Sequence, residues 1–168
     1  TKFEKDVSLL IEEHPDTIEC VYIDVVGLHE INNHLGHQTG DSMLCMVAGT
    51  ARSFFPNDRL YRIGGDEFVI LCCNRKHDEV LLAVEKLRMT LRGAEYEISV
   101  GVQQGTGQEN VQNIVNRAED AMRRDKEAYY QQNGQERRMR SLNEKLDRLM
   151  QEKQDADQFI RVIAPEYI

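Results

Sequence analysis

Three carboxylates stand where apolar runs of this sequence give way to loops. Asp24 follows Cys20-Val21-Tyr22-Ile23, which reads as a buried strand. Asp66 and Glu67 follow Gly64-Gly65, between two strand-like runs, Leu60-Tyr61-Arg62-Ile63 and Phe68-Val69-Ile70-Leu71. A carboxylate at the end of a buried strand is held on a rigid element, where a metal ligand is best placed. Taken alone, Asp24 reads better as a cap of the next turn, and acids at a hairpin tip are usually just solvated. Together they say more. If the Asp24 strand lies beside the hairpin, the three carboxylates converge at one sheet edge and repel one another unless a dication sits among them. Oxygen ligands without histidine favour Mg²⁺ over Zn²⁺, with Mn²⁺ as a substitute. Mg²⁺ keeps waters and binds substrate phosphates, which points to a nucleoside triphosphate.

The elements that position these groups follow from hydrophobic spacing. Phe3, Val7, Leu10 and Ile11 predict a helix that stops before Pro15. Leu28 to Leu35 reads as a helix closed by Gly36, and a second helix is expected from Asp41 to Phe54, with Asp41 able to serve as its N-cap. Gly64 and Gly65 supply the positive φ that tight hairpin turns require. A helix over Asp78–Arg92 has Val80, Leu81, Val84, Leu87 and Leu91 on one side; Tyr96–Val102 is a strand, and Val111 to Tyr130 is helical, ending near Gly134. The hairpin excludes an all-parallel sheet. The expected fold is therefore α+β, a mixed or antiparallel sheet flanked by helices.

Residues 1–134 form this domain, and the composition changes after them. Residues 135–158 are dense in charge, with Met139, Leu142, Leu146 and Leu149 spaced 3, 4 and 3 apart. That seam fits a short coiled coil or a helix folded back on the domain equally well. Residues 159–168 read as the start of a further, truncated domain, so a downstream domain of the same polypeptide is expected as a partner.

The chain has 168 residues, enough for one domain and an extension, and 40% hydrophobic with 30% charged residues is the make-up of a soluble protein. A net charge of −8 argues against nucleic acid or an anionic membrane as partner. No apolar run is long enough for a signal peptide or membrane span, and the expected location is the cytoplasm. The four cysteines, Cys20, Cys45, Cys72 and Cys73, form no Cys-x-x-Cys pair and read as reduced core residues.

Arg62-Ile63-Gly64-Gly65-Asp66-Glu67-Phe68 contains the motif that names the GGDEF, or diguanylate cyclase, family. Asn32-Asn33-His34-Leu35-Gly36-His37-Gln38-Thr39-Gly40-Asp41 resembles that family's N-[DN]-x-x-G-H-x-x-G-D segment. Ile98-Ser99-Val100-Gly101-Val102 resembles its Ser-x-Gly strand, and Ala118-Glu119-Asp120-Ala121-Met122 with Lys126 resembles its last helix. The resemblance implies a nucleotidyl-cyclase or polymerase-palm type fold and condensation of two GTP molecules into cyclic dimeric GMP. It implies Mg²⁺ held by the side chains of Asp24 and Glu67 and the carbonyl of Val25, with Asp66 in a metal role or helping to deprotonate the attacking 3′-hydroxyl. By the same resemblance Asn32 and Asp41 recognise guanine, Gly64 and Gly65 let backbone approach the phosphates, Leu28 and His29 present amides to them, and Lys126 contacts them. Each domain holds one GTP, so a second copy of the domain is an expected partner. The alternative is a catalytically silent GTP-binding regulatory domain; retention of Asp24, Asp66, Glu67, Asn32 and Asp41 favours the enzyme.

Three positions depart from the family. Leu28-His29 stands where Phe-Lys is usual, Tyr130 where an arginine partner of Lys126 is usual, and Phe55 where the arginine of an Arg-x-x-Asp inhibitory site is usual, with Asp58 remaining. No inhibitory site is therefore expected.

Overall fold

Strand β1 (Thr17–Val25) is buried along nearly its whole length because both of its faces are covered. Val21, Ile23 and Val25 enter one apolar layer, and Ile18, Cys20 and Tyr22 enter the other. Such a strand must be central, and β1 is. It pairs antiparallel with β3 (Glu67–Cys73) on one side and with β4 (Ile98–Thr106) on the other. Strand β2 (Arg59–Arg62) completes the hairpin with β3, giving a four-stranded sheet in the order β2-β3-β1-β4. The computed structural model describes residues 2–163, without the side chains of residues 11, 135–139, 141 and 156–163.

Two helical layers sandwich the sheet. Leu10 of α1 (Lys2–Glu12) packs on one face with Val111, Ile114, Val115, Ala118 and Met122 of α5 (Val111–Asn133). The other face carries α2 (Leu28–Leu35), α3 (His37–Phe54) and α4 (His77–Gly93). The α4 stripe is Val80, Ala83, Val84, Leu87 and Leu91, whereas Leu81 points outward at 42% exposure. Cys45 is also exposed, so only Cys20 and Cys72 are buried core thiols.

The second helix starts earlier than its hydrophobic pattern suggests. Gly36, at φ 84°, turns the chain directly from α2 into α3 at His37, and neither helix has a side-chain cap there. Asp41 is therefore an exposed residue of the helix body and not an N-cap.

Gly101 is where sheet and helix touch. A Cβ on it would lie 2.0 Å from Ala118 O and 2.4 Å from Met122 N, both backbone atoms of α5 that cannot swing aside. This approach brings α5 down onto β1, within reach of the carboxylate edge. Gly101→Ala is expected to force β4 and α5 apart and to lower stability by about 2–4 kcal/mol, as overpacking against backbone does. Urea denaturation checks this, and an unchanged midpoint would refute the close approach.

The last helix, α6 (Gln135–Ile163), turns back onto the domain after Gly134. Leu146 is 4% exposed within the α2–α4 core layer, and Leu142 packs partly buried beside it. Two of the four seam residues are thus spent inside the chain. The helix also continues past the boundary expected at 158; the expected further domain at 159–168 lies outside the described residues beyond Ile163, as does the side chain of Met139.

Candidate active site

Antiparallel pairing sets Asp24 directly opposite Glu67 on β3 and Ser99 on β4, so the two carboxylates leave the sheet on the same face. Val25 N donates to Asp66 O at 2.9 Å and ties the hairpin tip to β1. Asp24 is only 4% exposed. Its charge is met by the Lys126 ammonium, 2.8 Å from Oδ1 and 3.0 Å from Oδ2, with the hydrogen bond directed at Oδ2. Both carboxylate oxygens are thus met by the same ammonium, Oδ1 at the shorter distance. Asp24 is therefore not a turn cap, and Lys126 is not a solvated helix lysine.

The hairpin tip closes in an unexpected way. Neither Gly64 nor Gly65 has a positive φ. The loop is gathered by Arg62, whose Nε donates to Gly64 O at 3.2 Å and whose Nη2 donates to Gly65 O at 2.8 Å, while Ile63 N donates to Glu67 O at 3.0 Å. A Cβ at position 64 would lie 2.6 Å from Glu67 Oε2, so a larger residue there would displace that carboxylate. Arg62 went unremarked in the spacing, although an arginine two residues before a pair of glycines, whose carbonyls no side chain shields, is a readable signal.

Electrostatics at the edge are strained in one direction. Burial pushes the Asp24 carboxyl up, the charge of Asp66 adds to it, and the hydrogen bond and charge of Lys126 only partly offset the rise. Glu67 is raised by burial, then by Asp66, Asp24 and Glu119, against a hydrogen bond from Tyr22. Burial pulls Lys126 down, but its hydrogen bond and charge contact with Asp24, helped by Tyr130 and Asp66, leave it raised. Tyr22 lies 4% exposed, its phenol pushed up by burial and by the neighbouring charges of Glu67 and Glu119. This tyrosine is a site residue that sequence reasoning missed, because within a buried strand it reads as core.

The carboxylates do not form a ready-made cage. Among the described residues no group of three or more His, Cys, Asp or Glu side chains is arranged to hold a metal ion, although the charges of Asp24, Asp66 and Glu67 act on one another. Acids that repel one another need a cation to gather them, and Lys126 supplies one for Asp24 alone. The donor set still suits Mg²⁺, which commonly takes one or two carboxylates and fills its octahedron with water and phosphate oxygens. Asp24, almost fully buried, and its cross-strand neighbour Glu67 are such a pair.

A second set of groups lies on α2 and α3. Asn32 Oδ1 is buried without a hydrogen-bond partner, and a Cβ on Gly40 would come within 1.8 Å of it. Gly40 thus leaves the amide its room, and an unpaired buried oxygen is costly unless a ligand donor meets it. Asp41 is next to Gly40 and exposed. Leu28 is buried in the core at 6% exposure, so only its backbone can serve a ligand, while the exposed His29 ring bonds Asn33 Nδ2 at 3.0 Å. Gly27, at φ 85°, begins α2 and brings no capping side chain to the first turn of the helix, three residues after Asp24.

At the other end of β3 from Glu67, Phe55 is fully buried beneath the Arg75 guanidinium, 5.3 Å from its ring centroid. Arg75 Nη1 also pairs with Asp58 Oδ2 at 2.5 Å. A cavity of about 910 Å³ lined by Asp58, Arg59, Arg75 and Lys86 opens there, remote from the carboxylate edge.

An antiparallel sheet in the order β2-β3-β1-β4, sandwiched by helices and carrying acids at the β1 end and hairpin tip, is an α+β sandwich. Residues 1–132 match the family model described as "Diguanylate cyclase, GGDEF domain", and the chain belongs to the GGDEF family. Diguanylate cyclase DgcM of Escherichia coli K12 is 32% identical over 111 residues, covering 62% of this chain and 27% of that protein. Diguanylate cyclase DosC of the same strain is 29% identical over 119 residues, covering 62% of this chain and 25% of the relative. The chain therefore spans about a quarter of the length of these curated relatives. Among solved structures, the GGDEF domain of DgcB from Caulobacter crescentus, crystallised with c-di-GMP, superposes with a TM-score of 0.68 at 22% identity, covering 75% of this chain and 83% of that one. No described helix is long and apolar enough to cross a membrane.

Proposed function

We propose that this chain is a diguanylate cyclase that condenses two GTP molecules, one in each of two facing domains, into cyclic dimeric GMP and two pyrophosphates. The observation that carries this reading is the Asp24–Glu67 pair at the β1 end, with Asp24 buried against the Lys126 ammonium. Asp24, Glu67 and the Val25 carbonyl would hold Mg²⁺, which when bound polarises the α-phosphate and lowers the pKa of the 3′-hydroxyl. The chain's own groups do the rest. Asn32 and Asp41 orient guanine, the amides at Leu28 and His29 receive phosphate oxygens, and Lys126 turns from Asp24 to the triphosphate. The 3′-oxygen of one GTP forms a bond to the α-phosphorus of the other as the bond to pyrophosphate breaks. Asp66 takes the hydroxyl proton. Holding the two nucleotides in line supplies much of the rate.

The test is a product assay with GTP and Mg²⁺ at high protein concentration. Cyclic dimeric GMP should form and should vanish on chelation, returning with added Mg²⁺ or Mn²⁺. Mg²⁺-dependent GTP binding without product, even when dimers are forced with a fused zipper, would instead establish the silent GTP-binding module that the changes at Leu28, His29 and Tyr130 favour.

Product inhibition through Asp58 is expected to be absent. Its carboxylate is engaged by Arg75 and the arginine expected at position 55 is a buried phenylalanine. Initial rates should not fall when product is added, and Asp58→Ala should leave them unchanged. Tight product binding abolished by that substitution would overturn this.

A further inference from the structure

The helix α6 lies against the turn that joins the carboxylate strand to α2. The Cβ position of Gly27 is 3.7 Å from Leu142 Cδ1, and Leu146 is buried one turn further along. Beyond them the Lys145 ammonium sits 4.2 Å from the Tyr96 ring centroid and donates to Glu95 O, while Arg148 pairs with the Glu95 carboxylate. Residues 95–97 are themselves bonded to the turn, since Val26 N donates to Glu97 O at 3.0 Å. The turn is thus enclosed between the segment that leads into β4 and α6. On its own it has little to hold it: Gly27 has the freest backbone of any residue type, and α2 starts there with no side-chain cap.

We propose that α6 is a positioning element for the nucleotide site, with Leu142 and Leu146 holding the Val26–Gly27–Leu28 turn in the geometry that presents its amides to a triphosphate. This rests on the reading above that the turn receives phosphates. Gly27 is three residues from Asp24, so a shift of the turn moves the phosphate donors relative to the metal-binding carboxylate. Positions of this kind affect substrate binding before chemistry, because they organise a donor set without touching the reacting atoms. Displacement of α6 from the domain then lowers triphosphate affinity and leaves the carboxylate edge intact.

The experiment compares the full chain with Leu142→Ala and with the volume-conserving Leu142→Met. Two readouts are taken: amide hydrogen exchange at Val26 and Ile31, whose N–H groups flank the turn and bond Glu97 O and Gly27 O, and the affinity for GTP with Mg²⁺. Leu142→Ala should speed exchange at both amides by about tenfold, leave the β1–β3 ladder protected, and weaken GTP by about three- to tenfold, with Leu142→Met near wild type. Unchanged exchange, or faster exchange with unchanged GTP affinity, overturns the proposal. A wild-type chain that binds GTP but makes no product defeats the cyclase reading alone, because both readouts here are independent of turnover.

Discussion

Replacing Glu67 by glutamine is expected to lower cyclic dimeric GMP formation by about a thousandfold or more while leaving the chain at least as stable as wild type. Glutamine keeps the volume and an oxygen within reach of Tyr22, but it removes the charge that a dication needs, and one lost electrostatic contact to a reacting phosphoryl group commonly costs that much. Stability should move the other way. Glu67 is raised by burial and by the neighbouring charges of Asp66, Asp24 and Glu119, so the folded chain holds this carboxylate against its preference. A neutral side chain relieves that repulsion, which is the pattern of a site kept for function at some expense to folding. Product measured by chromatography and melting followed by circular dichroism check both halves. Retained turnover would remove Glu67 from the chemistry, and a large loss of stability would show that the carboxylate is structural.

Much of this site is legible in the chain because it is built from neighbours. Gly64-Gly65 flanked by apolar runs fixes a hairpin, and an apolar run ending in Asp24 fixes a strand that can lie beside it. Antiparallel pairing then puts Asp24 opposite Glu67 without further information. What escapes the sequence depends on distant or crowded contacts. Lys126 reaches Asp24 across 102 positions, and it does so because Gly101 lets α5 settle against the sheet. The early start of α3 escapes because Gly36 serves both as the end of α2 and as the entry to the next helix, where a polar cap is the usual marker. The role of Arg62 replaces a glycine conformation with a guanidinium bridge, and both solutions close the same loop. The docking of α6 could not be separated from a dimer seam, since leucines at 142 and 146 satisfy either one, and burial by Gly27 and the core decides it.

Lys126→Met is expected to destabilise the metal-free chain by about 2 kcal/mol at neutral pH and to make it more responsive to Mg²⁺. The loss falls below the roughly 3–5 kcal/mol typical of breaking a fully buried pair because the lysine side chain is one-third exposed, at 33% against 6% for Asp24. Without its ammonium, Asp24 becomes a buried charge with only Asp66 and Glu67 for company. The pH dependence follows from the direction of the Asp24 shift. Its carboxyl is already raised in the folded chain above the ordinary 3.8, so the stability it contributes is complete below 3.8 and is lost as pH rises through the folded value. Removing Lys126 raises that value further and enlarges the loss. Urea midpoints of wild type and variant should therefore converge in acid and separate toward neutral pH. Asp24→Asn combined with Lys126→Met should recover most of the stability, since the cost lies in the unpaired charge and not in the missing lysine. Mg²⁺ should raise the midpoint of the single variant more than that of wild type, because in the wild type the dication must displace an ammonium that already satisfies Asp24. If Lys126→Met shows no loss at neutral pH, or if Mg²⁺ stabilises both chains equally, the ammonium is not standing in for the cation.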